Sequence, residues 1–158
     1  MDREPMTRKQ LLARLDAAWV AFQNVHAGLS DEELLESGVV DDWSVKDLVA
    51  HVTWWEEEAL KHLPLILAGE RPPRYSVTYG GIDAFNTLMA VQTRDLSLDD
   101  VRRQANVTHR RLVDYIRGVP EELFARETRF RRRLRLDTYS HYPIHTTAIR
   151  EWREQRFT

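Results

Sequence analysis

The segment from Asp137 to Trp152 reads DTYSHYPIHTTAIREW and places His141 and His145 four residues apart. On a helix, residues at this spacing share one face and lie about 6 Å apart along the axis, so both imidazoles can bind one metal ion. A third histidine, His51, lies in a stretch that begins WSVKDL and continues into the run HVTWWEEE. If the first half of the chain folds back onto the last helix, the three imidazoles meet inside a helical bundle.

The composition is that of a globular, helix-rich chain. The 158 residues are 42% hydrophobic and 30% charged, with six glycines and six prolines, which argues against disorder and against a strand-rich fold. This length predicts one domain over residues 1–158. No cysteine is present, which excludes disulfides, thiolate nucleophiles and sulfur-ligated zinc, and fits a cytoplasmic protein.

Charge and hydropathy narrow the expected partners. The N-terminal run MDREPMTRKQ is polar, and no apolar run approaches the roughly 18 residues needed to span a bilayer. A net charge of −2 gives no general attraction to nucleic acid or to anionic membranes, so any such binding would have to come from a local patch. We expect a small-molecule substrate as partner, with no nucleic acid and no membrane.

Capping boxes mark the starts of four predicted helices. The paired residues are Thr7 with Gln10, Ser30 with Glu33, Ser44 with Asp47, and Ser97 with Asp100. The helix that carries His51 is predicted to end at Gly69, with its last turns kinked or shortened by Pro64.

These signals predict an all-α fold, a helical bundle with short extra helices. Residues 70–81 (ERPPRYSVTYGG) lack a helical period and are interpreted as a loop. RFRRRLRL, at 129–136, is the one alternating stretch that could be extended. The arginines of segment 126–135 are interpreted mainly as a solvated run, with one or two of them available to guide an acidic substrate.

Three neutral imidazoles suit zinc, nickel or another late first-row dication, and they leave a coordination position open for water or substrate. Such a metal would acidify bound water and polarise a carbonyl group. The spacing differs from the H-E-x-x-H motif of metalloproteases, because Tyr142 stands where that motif has glutamate.

The candidate catalytic groups are therefore Tyr142 and Glu58, which lies seven residues after His51 on the same helix face. Asp137, one turn before His141, is placed to orient that ring. A solvated helix face remains the alternative for both carboxylates, and the two other acids of the run, Glu56 and Glu57, are expected at the surface.

Pro143 constrains the histidine pair. It removes an amide donor and disfavours helical geometry at Tyr142, so the pair must lie in the first turns of the helix, or the helix must bend. If Tyr142 is the cap, His141 falls outside the helix and a poorer site is expected.

Four segments together resemble the DinB-type four-helix bundles, most closely their ClbS/DfsB-like branch. They are SDEELLESGVVDDWSVKDLVAHVTWWE, GIDAFN followed by RDLSLDDVRRQ, VPEELF, and DTYSHYPIHTTAIREW. The resemblance implies an antiparallel four-helix bundle, which we expect to be of up-down-down-up type. It also implies one divalent-metal site built from three histidines, which correspond to His51, His141 and His145. It also implies functions as varied as thiol-cofactor transferases, isomerases and a genotoxin-resistance hydrolase. RFRRRLRL replaces a glycine-rich, aromatic turn of the relatives, and this departure bears on the substrate class.

The expected function is that of a divalent-metal-dependent hydrolase or transferase that acts on a small electrophilic molecule, as in resistance or detoxification. One alternative is a protein that binds or sequesters a small molecule without turnover. Another is a structural module whose histidines hydrogen-bond within the core. A homodimer is compatible with these readings, although no apolar stripe requires one.

Overall fold

The computed structural model describes residues 4–156, and the regular structure of these residues is helical. The helices are α1 (Arg8–His26), α2 (Asp31–Leu35), α3 (Val45–Leu67), α4 (Tyr75–Thr78), α5 (Ile82–Thr93), α6 (Leu98–Arg117), α7 (Arg129–Asp137) and α8 (Tyr142–Arg156), with a 3₁₀ turn at Glu121–Leu123. Within residues 4–156 the one β-type contact is an isolated bridge between Val40 and Trp43. The predicted all-α class is confirmed.

Local capping signals position the helix starts. The predicted boxes at α1, α2 and α3 are all reciprocal. At α6, Ser97 accepts a bond from the amide of Asp100 at 3.1 Å, but the Asp100 carboxylate instead accepts from Arg103 at 2.7 Å. The prediction of a full box at α6 is therefore half wrong, because a neighbouring guanidinium competes for the carboxylate.

The four long helices close into a ring in which α3 packs on α6 and α8, and α1 packs on the same two helices. The amide of Met6 donates to the carbonyl of Phe124 at 3.2 Å, so α1 starts beside the end of α6 and the two are antiparallel. Arg153, in the last turn of α8, donates to the carbonyl of Val25 near the end of α1 at 2.8 Å. Helices α1 and α8 therefore run in the same direction.

The other two long helices also run in a common direction. Lys46, at the start of α3, donates to the carbonyl of Arg94 just before α6, at 3.2 Å. Further along both helices, Thr108 donates to Glu57 at 2.7 Å. The order is therefore up-down-down-up, as predicted.

Two predicted irregular stretches contain helices. The 70–81 loop includes the short helix α4. The alternating run at 129–136 is helical as part of α7, because Thr128 caps it by accepting from the amide of Arg131 at 3.1 Å, and because Phe130 and Leu134, four residues apart, are both buried. An i, i+4 apolar pair is a helical pattern, and here it prevails over the alternation.

The arginine run is not simply solvated. Arg131 is fully buried and donates to the carbonyl of Phe124 at 3.0 Å. Helix α3 reaches Leu67, beyond Pro64, and the chain then turns at Gly69 with a positive φ of 84°. None of the helices in the described part of the chain is long and apolar enough to cross a membrane.

His26, at the end of α1, gives a pH-dependent stability. Burial, followed by the charges of Arg102 and Arg153, lowers its pKa to about 4. Above the unfolded-state pKa of 6.5 the ring is neutral in both states, and the folded state has its full stability. As the pH falls from 6.5 toward the folded-state pKa, the unfolded state binds a proton and the folded state does not, so stability is lost. From pH 7 to pH 5 we expect a loss of about 2 kcal/mol in the free energy of unfolding from this residue.

Urea denaturation of the wild type and of His26→Gln at both pH values measures this contribution. The glutamine variant should lose about 2 kcal/mol less than the wild type over that interval. Equal losses in the two proteins would contradict the assignment.

Candidate metal centre

His51 lies in the second turn of α3, the helix that contacts most of the other elements. The ring is buried, and the edges of Trp43 and Trp54 contact it with ring centroids 5.1 and 5.0 Å away. These contacts fix the ring with its Nε2 atom toward the start of α8.

His141 precedes α8, which begins at Tyr142. A turn holds it there, because the amides of His141 and Tyr142 both donate to the carbonyl of Thr138, at 2.8 and 2.9 Å. Pro143 then occupies the first helical turn, where an amide donor is not needed. His141 lies outside the helix, and the turn still brings its ring to that of His145. The expectation of a poorer site stays a prediction.

The three rings converge on their Nε2 atoms. The Nε2 atom of His141 is 3.1 Å from that of His51 and 2.9 Å from that of His145. One ligand nitrogen from each ring lies within 4.8 Å of the other two. Tetrahedral nitrogen ligands on zinc lie about 3.3 Å apart, since each Zn–N bond is about 2.05 Å. The donor set therefore fits a single ion, and this proximity is as the sequence predicted.

All three imidazoles are neutral at physiological pH. Burial, with smaller contributions from His145 and His141, lowers the pKa of His51 to about 2. Burial and the charge of His145 lower the pKa of His141 to about 3, and burial lowers that of His145 to about 4. A neutral ring can present a nitrogen lone pair to a cation, which a protonated ring cannot.

The second ring nitrogen of each histidine, Nδ1, lacks a hydrogen-bond partner among the described residues. Within residues 4–156 the Nδ1 atoms of His51, His141 and His145 are buried and make no hydrogen bond. Metal-binding histidines commonly donate this N–H to a carboxylate or carbonyl, which orients the ring and raises its basicity. Asp137 was expected to do this for His141, and that expectation is wrong.

Asp137 is bound elsewhere. Its Oδ2 atom accepts from Nε of Arg133 at 2.6 Å, and the buried carboxyl has its pKa raised by burial to about 6, although Arg133 opposes the rise. Both residues line a cavity of about 370 Å³ beside His51 and His141. Arg133 was thus interpreted too simply as part of a solvated run.

Glu58 reaches this cavity only through another residue. Its Oε1 atom accepts from the hydroxyl of Tyr75 at 3.0 Å, and Tyr75 lines the cavity. Glu58 itself is buried and lies beside a different cavity, between α3, α5 and α6. Its catalytic role stays a prediction, and the placement gives it no direct contact with the histidine cavity.

Tyr142 points into the bundle core, where it is fully buried. Its hydroxyl donates to Glu56 Oε2 at 2.7 Å, and the same oxygen is 2.7 Å from Nδ1 of His109. Glu56 is also fully buried, so the expectation that it lies at the surface is wrong. Burial raises the pKa of Glu56, and the bonds from His109 and Tyr142 oppose that rise.

Sequence reasoning missed four residues of the cavity wall. Tyr75 is one of them, because its segment was interpreted as a loop. Asn86, Ile82 and Leu136 line it together with Trp55, Tyr75 and the residues above. Asn86 and Ile82 share one face of α5 four residues apart, but nothing in their local pattern marks that face as a cavity wall.

The comparison of sequences identifies the family. The profile of the DinB superfamily matches residues 14–146. The chain belongs to the DinB superfamily. A comparison of this DinB-superfamily chain with functionally curated proteins found no match.

Solved structures share the DinB-type fold over nearly the whole chain. The sibling lethal factor precursor DfsB superposes with a TM-score of 0.78 at 18% identity, covering 97% of this chain and 98% of its own. An uncharacterised protein from Escherichia coli UTI89 gives 0.80 at 17% identity, covering 97% and 96%. The colibactin self-resistance protein ClbS, in complex with dsDNA, gives 0.79 at 14% identity, covering 95% and 97%. The predicted likeness to the ClbS/DfsB branch is confirmed at the level of the fold.

The exclusion of nucleic acid as a partner is wrong. ClbS has this fold and was solved in complex with dsDNA, so neither the fold nor a net charge of −2 is a reason to exclude duplex DNA. Net charge describes the whole surface, whereas a duplex contacts only a local patch.

The placement of Tyr142 predicts a structural effect on mutation. Tyr142→Phe removes one donor from a buried carboxylate and should lower the free energy of unfolding by about 1–3 kcal/mol. Urea denaturation measures the change. Tyr79→Phe is the control, because Tyr79 contacts Tyr75 and Phe85 through its ring, and phenylalanine keeps that ring. An unchanged stability in Tyr142→Phe would contradict the structural role.

Proposed function

We propose that this protein is a divalent-metal-dependent hydrolase or transferase that acts on a small electrophilic molecule, with His51, His141 and His145 as metal ligands. The observation that carries the proposal is the convergence of three neutral imidazoles, one buried and two half-buried. Two of them, those of His51 and His141, line a cavity of about 370 Å³. Cavities of about 300–1,000 Å³ are typical of small-molecule sites.

Zinc or nickel suits an all-imidazole donor set. When bound, such an ion supplies Lewis-acid polarisation of a carbonyl group and a more acidic bound water. The unpartnered Nδ1 atoms predict a lower affinity than that of sites with oriented ligands, because loss of such partners commonly costs about 10–100-fold.

The protein's own groups hold the cavity in shape around the substrate. Arg133 bonds to Asp137 at 2.6 Å and to the hydroxyl of Tyr75 at 2.8 Å. Tyr75 in turn donates to Glu58. We assign Glu58 the role of fixing Tyr75, and Tyr142 the role of fixing Glu56, in place of direct roles in proton transfer.

Sequestration without turnover is the second candidate function. It is favoured by the ion pair that occupies the Asp137 carboxylate. Asp137 is the carboxylate among the cavity-lining residues, and it is engaged by Arg133. A general base must lie within hydrogen-bond reach of the proton it removes. Metal-dependent release of product over many turnovers supports the enzyme, whereas stoichiometric protection without product supports sequestration.

Duplex DNA is a further candidate partner, supported by the ClbS complex with dsDNA. The cationic surface that would contact it comprises exposed arginines of α7 and of the segments before α4 and α7. These are Arg71, Arg74, Arg126, Arg129 and Arg132. A bond from Arg129 to the carbonyl of Glu70, at 3.5 Å, joins α7 to the segment before α4.

Fluorescence anisotropy with a short labelled duplex tests the DNA proposal. We expect binding that weakens strongly between about 50 and 200 mM salt, because phosphate contacts release counterions. The double variant Arg129→Gln/Arg132→Gln should bind more weakly and show a shallower salt dependence. Binding that is unchanged in this variant would rule out the surface.

Metal analysis tests the main proposal. After incubation with zinc or nickel and desalting, inductively coupled plasma mass spectrometry should find about one ion per wild-type chain and almost none in His145→Ala, because two ligands rarely hold an ion alone. Bound metal should also raise the melting temperature of the wild type but not that of His145→Ala.

His62→Ala is the matched control, since His62 is buried but lies outside the three-histidine group. It should keep the metal. A wild type that binds no ion under any of these conditions would refute the metal site and leave sequestration as the better hypothesis for the function.

A further inference from the structure

The cavity beside the histidines has an apolar body. Trp55 and Tyr75 form part of its wall, and Ile82 and Leu136 line it while remaining 54% and 49% exposed. Large aliphatic side chains left half in water are stabilised when an apolar ligand covers them. These four side chains therefore favour a ligand with a flat or compact apolar body.

Asn86 offers hydrogen-bond donors to this cavity. The indole N–H of Trp55 donates to the Asn86 Oδ1 atom at 3.0 Å. An indole has no acceptor, so this contact uses the amide oxygen and leaves the NH₂ group as the part of Asn86 that can bind a ligand.

Arg133 offers further donors. The guanidinium has five N–H groups, and its bonds to Asp137 and Tyr75 use two of them. The hydroxyl of Tyr75 accepts from Arg133 and donates to Glu58, so its proton is engaged. The donors of Asn86 and Arg133 thus favour a ligand that presents an acceptor.

The charge of Arg133 is already compensated. Its ion pair with Asp137 lies within the cavity wall, with both side chains mostly buried. An anionic ligand would have to compete with the Asp137 carboxylate, whereas a neutral carbonyl oxygen can bond to the remaining N–H groups without disturbing the pair.

We propose that the ligand of this cavity is an uncharged molecule with an apolar body and a carbonyl-type acceptor, such as an aromatic amide or ester, and that Asn86 and Arg133 bind its oxygen. This inference rests on the proposed function, because it names the substrate class of the same site. A carbonyl held between these donors and the histidines lies where polarisation would activate it.

Three probes with the same naphthalene body separate the ligand classes: 2-naphthamide, 2-naphthoate and 2-naphthylmethylammonium. Isothermal titration calorimetry with the metal-free full-length protein should give the tightest binding for the amide, by about tenfold or more over each charged probe. Equal affinities for all three, or tighter binding of the carboxylate or the ammonium compound, would overturn the proposal.

Asn86→Asp is the informative variant, because aspartate keeps an acceptor for the Trp55 N–H and lacks the NH₂ donors. It should bind 2-naphthamide about fivefold more weakly, as expected for the loss of one neutral hydrogen bond. Asn106→Asp is the matched control: it makes the same change in a different cavity, on α6, and should bind like the wild type. Unchanged affinity in Asn86→Asp would remove Asn86 from the proposal.

Ile82→Ser provides a second measurement that does not depend on a buried position, since Ile82 is more than half exposed. It should weaken the binding of all three probes by a similar factor, because it removes apolar contact alone.

Binding of the amide without any metal binding would refute the metal-dependent reaction and leave the ligand class standing. Metal binding without amide binding would refute the ligand class alone.

Discussion

A buried carboxylate that joins three of the four long helices is the constraint on which the rest of the structure depends. Glu56 of α3 has no exposure to solvent, and one of its oxygens is 2.7 Å from both the Tyr142 hydroxyl of α8 and the His109 ring of α6. A buried acid without such partners would be strongly destabilising. Because Tyr142 is the next residue after His141, the bond from Tyr142 to Glu56 Oε2 also fixes the position along α3 at which the start of α8 meets His51. His109 is in turn stacked on Trp19 of α1, with centroids 3.8 Å apart, which extends the network to the fourth long helix.

Much of the fold could be predicted because its signals are local. A cap such as Ser44 and its partner Asp47 are three residues apart, and their bonds form within a single turn. The bundle order and the approach of His51 to the last helix were also predictable, from the family resemblance. The metal itself stays a prediction, as do the single domain over residues 1–158, the cytoplasmic location and the homodimer.

The rest depends on partners distant in sequence. Glu56 looks like a surface acid within the run EEE. The cost of burying it is offset by hydrogen bonds to His109 and Tyr142, which lie 53 and 86 residues away in the sequence. Asp137 looks like a partner for His141, but Arg133 lies one helical turn away and takes its carboxylate. Asn86 is recognisable as a cavity residue only once the Trp55 indole is placed against it. In each case tertiary contact, and not local pattern, decides the role of a polar group.

The separation of 90 residues between His51 and His141 also has a consequence for synthesis of the chain. Ribosomes add about 5–20 residues per second, so His51 is made roughly 5–18 seconds before its first partner. During that interval α3 has neither the Tyr142 bond for Glu56 nor the second and third imidazoles, and a lone histidine holds a cation only weakly. The three-histidine group is thus assembled late, when the segment that begins just before α8 completes the bundle.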